Sequence, residues 1–254
     1  AGSLVKASAG TLNLRGTNTF TRSTSVNAGT LALTGSGSLA STGLTVASGA
    51  TLSVASGAMV PVGAAVTVDG TLAFNRSDEL VYSSQLSGSG RVEQRGYGAT
   101  TLSGTNSYAG GTTLTTGTLR LGNDLALGTG SLLMKAGRLS GDGAALRTIS
   151  NGLSFAGHMS LGDAALGGTL VLSGGATLGG NRTLNVDSDV TLSGVISGAN
   201  NSLTKIGAGV LTLSGSNTFN SGVLLNNGVL RLGHNSGFGT GSVTMGTGRI
   251  TSDS

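Results

Sequence analysis

The chain has 254 residues, 47 of them Gly and one Pro, with no Cys or Trp, and only 9% of its residues are charged. Without Cys there is no disulfide scaffold, thiolate metal site or Cys nucleophile; Gly without a G-X-Y period excludes collagen, and low charge with a mean hydropathy of +0.22 excludes solvated disorder. The 14 Lys and Arg against 10 Asp and Glu give a net charge of +4, yet Lys6, Arg15, Arg22, Arg76, Arg91 and Arg95 are scattered, whereas a nucleic-acid groove needs clustered cations.

The opening AGSLVKASAG has no apolar stretch after a basic start, and no run of ~18 apolar residues follows anywhere, so neither a signal peptide nor a membrane helix is read. From residue 10 the chain reads GTLNLRGTNTFTRSTSVNAGTLAL, and short runs of alternating apolar and small polar residues then recur. They are TLAL (30–33), TLSV (51–54) and TLAF (71–74), whose first residues are 21 and 20 apart. Later runs are TLVL (169–172), TLNV (183–186) and TL (191–192). Alternation is the two-residue period of a strand with one buried face. Gly29, Gly49, Gly70 and Gly168 precede four of these runs and suit tight corners with positive φ. The longest helix-compatible stretch, 122–134, is interrupted by Gly128 and Gly130, each costing roughly 1 kcal/mol relative to Ala, so essentially no helix is expected.

Longer repeats overlie this period. Residues 98–134 and 209–245 align without a gap at an offset of 111, which carries Gly104 to Gly215, Asn106 to Asn217, Tyr108 to Phe219 and Arg120 to Arg231. A copy near the start aligns to the middle one at an offset of 88, carrying Asn18 to Asn106 and Phe20 to Tyr108. Leu4 and Lys6 match Leu203 and Lys205, and Asp142 matches Asp253 just before the sequence stops inside a unit, so it reads as a fragment of a larger protein. A unit of ~20 residues with equivalent residues at equivalent places favours a solenoid over a sandwich, whose strands come every 8–12 residues. The expected fold is all-β: one right-handed parallel β-helix over residues 1–254, of about twelve coils stacked roughly 4.8 Å apart. Its core would comprise Leu12, Leu14, Leu31, Leu33, Leu52, Val54, Leu72, Leu102, Leu119, Leu121, Leu213, Leu230 and Leu232.

The shared pattern is L-S-G-T/S-N-S/T-Y/F, then L-x-x-G-x-L-R-L-G-N/H, then G-T-G-S. It resembles the passenger-associated transport repeat of Gram-negative autotransporters, the type V secreted proteins. The resemblance covers residues 3–40, 91–134 and 202–245; the first copy departs from it with Arg22-Ser23 in place of Gly110-Gly111 and lacks the G-T-G-S. What the resemblance implies is an extracellular or cell-surface passenger exported through the outer membrane, with two covalent partners: its own C-terminal outer-membrane barrel and an effector domain carried on the stem. The repeats would assist translocation and folding, and such passengers include virulence factors and adhesins.

Few residues look chemical. His158 and His234 belong to different repeats, with no second His spaced to share a metal, and His234 stands where the middle copy has Asn123. Asp187 and Asp189, two apart, would share a strand face like the paired carboxylates of glycosidases. Asn75-Arg76-Ser77-Asp78-Glu79 reads as a polar loop beyond a strand, and residues 75–83 are the first place to expect a ligand. The Gly35 and Gly88 Ser-Gly stretches lack the helix a nucleophile elbow requires, and Gly122-Asn123-Asp124 is too isolated for a calcium repeat. The Asn18/Asn106/Asn217 column reads as left-handed turns bonding their own backbone, or as an internal ladder of amides. Phe20, Tyr108 and Phe219 would stack in the core or cover a corner. The expectation is therefore a structural, secretion-associated stem with no catalytic, cofactor-binding or metal residues and no nucleic-acid partner. The alternatives are an adhesive or self-associating surface, and a polysaccharide-cleaving β-helix using Asp187 and Asp189.

Overall fold

The computed structural model describes residues 2–61 and 63–252; Asp253, matched above to Asp142, lies outside them. Among the described residues there is no helix, only parallel strands of two to five residues wound into a β-solenoid of about twelve turns. The strands stay short because Gly, Ser, Asn and Thr interrupt each apolar run and turn the chain before a longer strand can form.

The turns fall into two compact units, 1–130 and 131–254. In the first, one sheet stacks Leu4–Lys6, Thr24–Val26, Gly43–Val46, Ala65–Val68 and Leu86–Ser87. The next stacks Thr11–Leu14, Thr30–Leu33, Thr51–Ala55, Thr71–Asn75, Arg91–Gln94 and Thr112–Leu114, and a third holds Leu80–Tyr82, Ala99–Leu102 and Thr118–Leu121. Register fixes the coil length: Leu12 pairs with Leu31, Leu31 with Leu52, Leu52 with Leu72, Leu72 with Val92 and Val92 with Thr112, steps of 19 to 21 residues. In the second unit three parallel sheets repeat this plan. One of them runs Arg147–Ile149, Leu170–Leu172, Val190–Leu192, Val210–Leu213, Val229–Leu232 and Arg249–Ser252.

Alternate residues of each strand point inward, so register stacks like on like. Leu31, Leu52 and Leu72 form one buried column and Leu33, Val54 and Phe74 the next. Each such side chain contributes about 1.5–3 kcal/mol on burial. Ten of the thirteen expected core residues are buried as expected, and three are only half-buried. Leu12 and Leu14 lie on the outermost strand of their sheet. Leu232 is followed in register by Ser252, which offers little apolar cover. Of the four corner glycines, Gly29, Gly49 and Gly168 take positive φ, but Gly70 does not. It is small for another reason: a Cβ there would stand 2.3 Å from the carbonyl oxygens of Ala47 and Ala50 in the preceding coil.

The 88-residue spacing is four coils and one strand more. Copy one begins on the sheet of Leu4–Lys6, whereas copy two begins on the neighbouring sheet, with Arg91–Gln94. The asparagines follow: Asn18 is on the strand Thr17–Asn18, which pairs only with Ser38–Leu39, whereas Asn106 packs over Leu86 of the first sheet.

Candidate functional site in the repeat corners

Each copy folds onto itself. In the middle copy, Arg91–Gln94 pairs with Thr112–Leu114 and Ala99–Leu102 with Thr118–Leu121. The third pairs Leu203–Ile206 with Val223–Leu225 and Val210–Leu213 with Val229–Leu232. The first does the same with Leu4–Lys6 on Thr24–Val26 and Thr11–Leu14 on Thr30–Leu33. A copy is thus two stacked rungs joined by the segment that carries the Asn and the aromatic residue.

That joining segment reaches both ways along the stack. Asn106 is 4% exposed; its Oδ1 accepts from Leu86 N at 2.9 Å in the coil before, and its Nδ2 donates to Ala126 O at 2.6 Å in the coil after. Asn217 repeats this with Ile196 N (2.7 Å) and Gly237 O (2.6 Å). Neither expectation holds at Asn106 or Asn217; in this column only Asn18 bonds the backbone of its own turn, at Gly16 O 2.7 Å away. Asn200 is the one non-Gly residue with positive φ among those described, and no Asn amide of the column bonds another. A buried backbone N–H and C=O left unpaired by the irregular corner explain the bridge, since each needs a partner. Asn18 of the first copy donates to Gly16 O and Ser38 O and is part-exposed.

Two residues on, Tyr108 and Phe219 are fully buried, while Phe20 is not. Gly128 and Gly239, the first glycines of the G-T-G-S, cover them. A Cβ on Gly128 would meet Tyr108 O at 2.3 Å and its ring at 3.1 Å, and one on Gly239 would meet Phe219 O at 2.2 Å and its ring at 3.2 Å. The first copy has Ala40 at this place and leaves Phe20 part-exposed. Tyr108 OH is hydrogen-bonded to Thr112 Oγ1 at 2.6 Å, and burial pushes its phenol well above the usual range.

A third feature was missed in sequence, although the two offsets lead to it. Lys6, Gln94 and Lys205 occupy one repeat position, and all three point into the core. Gln94 stacks in register between Phe74 and Leu114, and Lys205 between Leu184 and Leu225. Each polar tip ends in a cluster of corner carbonyls. Lys6 Nζ donates to Ser8 O and to Ala28 O at 3.0 Å. Lys205 Nζ donates to Gly207 O at 2.9 Å and Asn227 O at 3.0 Å, and Gln94 Nε2 to Gly96 O at 2.9 Å and Gly98 O at 3.2 Å. Burial lowers the Lys205 ammonium to about 8, against the pull of Asp187.

The residues singled out for chemistry are not assembled into a site. Asp187 and Asp189 do not share a strand; they lie in the corner between Arg182–Val186 and Val190–Leu192. Asp187 is held by Arg138 at 2.7 Å and by Asn185 Nδ2 at 3.0 Å, while Asp189 lines a shallow depression of about 340 Å³ with Ser188 and Thr169. Residues 75–83 are not a free loop either. Asn75 ends one strand, Leu80–Tyr82 forms another, and Arg76 between them is 4% exposed. Its guanidinium donates to Ala55 O (2.9 Å), Ala58 O (2.5 Å) and Asp78 (2.7 Å). Burial pushes the Asp78 carboxyl up, but the Gly57 N–H and Arg76 outweigh it and hold it below the ordinary aspartate value. His158 Nδ1 accepts from Thr183 N at 2.9 Å. His234 Nδ1 accepts from Ser236 N at 3.0 Å, the turn bond that Asn123 Oδ1 makes with Leu125 N at 2.8 Å in the middle copy.

The model of the passenger-associated-transport-repeat family matches the chain three times, at residues 4–33, 92–121 and 203–232. These are the three self-paired double rungs. No curated protein and no solved structure gives a significant match to the chain.

Proposed function

We propose that this β-solenoid, built around three passenger-associated transport repeats, is a structural stem of an autotransporter passenger. It is exported through the outer membrane of a Gram-negative bacterium, is continuous with a C-terminal transporter barrel in the full-length protein, and catalyses no reaction itself. The observation that supports this reading is the self-pairing of each repeat. Each strand of the thirty residues has one of its two neighbours within the same repeat, so a repeat emerging from a pore forms its own pair of rungs before the flanking coils stack on it. Local pairing lets folding propagate from one repeat outward, since each coil contacts only its neighbours. A folded rung is too wide to slip back, so each repeat rectifies transit. A chain without Cys also cannot be trapped by disulfides in an oxidising periplasm before export.

The test places charge inside or outside one repeat. Leu213→Asp and Leu230→Asp each put a carboxylate into the core of the third repeat, whereas Thr177→Asp is exposed on the same unit. In the full-length protein, export measured by surface labelling should fall several-fold for the two core variants and stay unchanged for Thr177→Asp. Equal export of all three would sink the reading. Cell clumping lost on Thr177→Asp, with export intact, would favour an adhesive surface instead.

A further inference from the structure

The three equivalent corners differ in one respect that points to a ligand. In the first and third repeats a Lys ammonium sits among backbone carbonyls: Ser8 O and Ala28 O around Lys6, and Gly207 O and Asn227 O around Lys205. The second repeat has the same carbonyls and no ammonium. Gly96 O matches Ser8 O and Gly207 O, and Thr116 O matches Ala28 O and Asn227 O. Gln94 is one bond shorter than Lys; its Nε2 reaches Gly96 O and Gly98 O, and it makes no bond to Thr116 O. Its Oε1 is buried and accepts no hydrogen bond, although the side chain is 0% exposed.

The carbonyls converge tightly. A Cβ on Gly117, whose φ is +71°, would stand 2.2 Å from Gly96 O and 2.6 Å from Gly98 O. Gly29 and Gly228 occupy the same place in the other repeats, and there a Cβ would meet Ser8 O at 2.5 Å or Lys205 Nζ at 2.8 Å. With no side chain at Gly117, these oxygens close around the tip of residue 94, where Nε2 now lies.

We propose that the second repeat binds a monovalent alkali cation at this corner. Gly96 O, Gly98 O and Thr116 O hold it, together with Gln94 Oε1 once the amide turns over and exchanges Nε2 for oxygen. The ion takes the place that the ammonium groups of Lys6 and Lys205 fill in the sister repeats. Turning the amide sets Oε1 on the ion, the ion replaces the donor that Gly96 O and Gly98 O lose, and Nε2 moves to the place Oε1 now occupies. All four oxygens are neutral, and carbonyl cages of this kind substitute for the hydration shell of a monovalent ion. A divalent ion gives up its water reluctantly and is usually held by carboxylates. Glu93, next to Gln94 in sequence, is already paired with Arg91 at 2.7 Å and with Arg95 at 2.5 Å.

The test uses the full chain at constant ionic strength. The unfolding midpoint is measured in choline chloride and as Na⁺ or K⁺ replaces the choline. Wild type should gain about 2–4 °C in a saturable manner, the shift expected of a weakly held ligand in a chain of this size. Gln94→Lys should start higher in choline and lose the response, because its ammonium fills the site. A second readout needs no variant: thallium-205 NMR with Tl⁺ as the K⁺ surrogate should show a bound signal displaced by K⁺. The proposal is overturned if wild type does not respond, if Gln94→Lys folds and responds equally, or if no displaceable Tl⁺ signal appears; water alone then fills the corner. None of these outcomes bears on export, so the stem reading stands or falls separately.

Discussion

Replacing Asn106 by Leu removes the bridge while keeping side-chain size. The variant leaves Leu86 N–H and Ala126 C=O without their partners at a site 4% exposed. Each orphaned buried group costs about 1–3 kcal/mol, so the loss is about 2–6 kcal/mol, reduced by roughly 1 kcal/mol for the added apolar surface. Asn18→Leu in the first repeat, part-exposed and with no acceptor bond, should cost under about 1 kcal/mol. Asn106→Asp sharpens the test. It keeps the oxygen that Leu86 N donates to but sets a carboxylate against Ala126 O, so only the protonated acid can donate there. Its folded pKa must rise above the ordinary aspartate value of about 3.9. The folded state then holds the extra proton, and stability falls as pH rises from about 4 by up to about 1.4 kcal/mol per unit until the folded pKa is passed. Hydrogen exchange of the Leu86 amide, with urea unfolding followed by circular dichroism, reads both effects. Equal costs at Asn18 and Asn106, or an Asp variant that gains stability with pH, would refute the bridge as an energetic element.

Three further outcomes follow from the same geometry. Gly128→Ala should destabilise by more than about 2 kcal/mol, because strain at φ +62° adds to a collision with Tyr108; Gly49→Ala, at φ +78° in open space, should cost only about 1–2 kcal/mol. Urea midpoints of the two variants separate them. Lys205, lowered to about 8 in the fold and near 10.4 unfolded, makes the unfolded chain bind more protons between those values. Stability should therefore rise with pH across that window, and the rise should vanish in Lys205→Gln, which copies the middle repeat. Melting curves at pH 8, 9 and 10 decide it. Arg138→Ala, at a part-exposed pair with Asp187, should cost no more than about 1 kcal/mol in a denaturant titration; a loss of 3 kcal/mol or more would mean the corner depends on it.

The winding of the chain was legible because register and composition carry the same period. Leu31, Leu52 and Leu72 stack in space as they recur in sequence. The corners were not, because their chemistry is non-local. The partners of Asn106 lie 20 residues away on either side, in backbone groups that no side-chain pattern announces. Arg76 looked like a solvated charge in a polar loop, but the carbonyls of Ala55 and Ala58 in the preceding coil draw it inside. Asp187 and Asp189 kept their spacing but lost their strand, because the chain bends at Ser188 between them. Gln94 was hidden by its neighbours: among Lys6 and Lys205 it is the exception, and only the orphaned oxygen beside it reveals the difference.

The extra strand in the 88-residue spacing bears on how the first unit carries load. Had the repeats recurred after whole coils, Asn18 and Asn106 would stand one above the other, and their irregular corners would line up as a seam. Instead the two corners occupy different sheets. They are staggered like the joints in a course of bricks, so a bend about any one edge meets at most one weak joint and is resisted by continuous ladder on the other two faces.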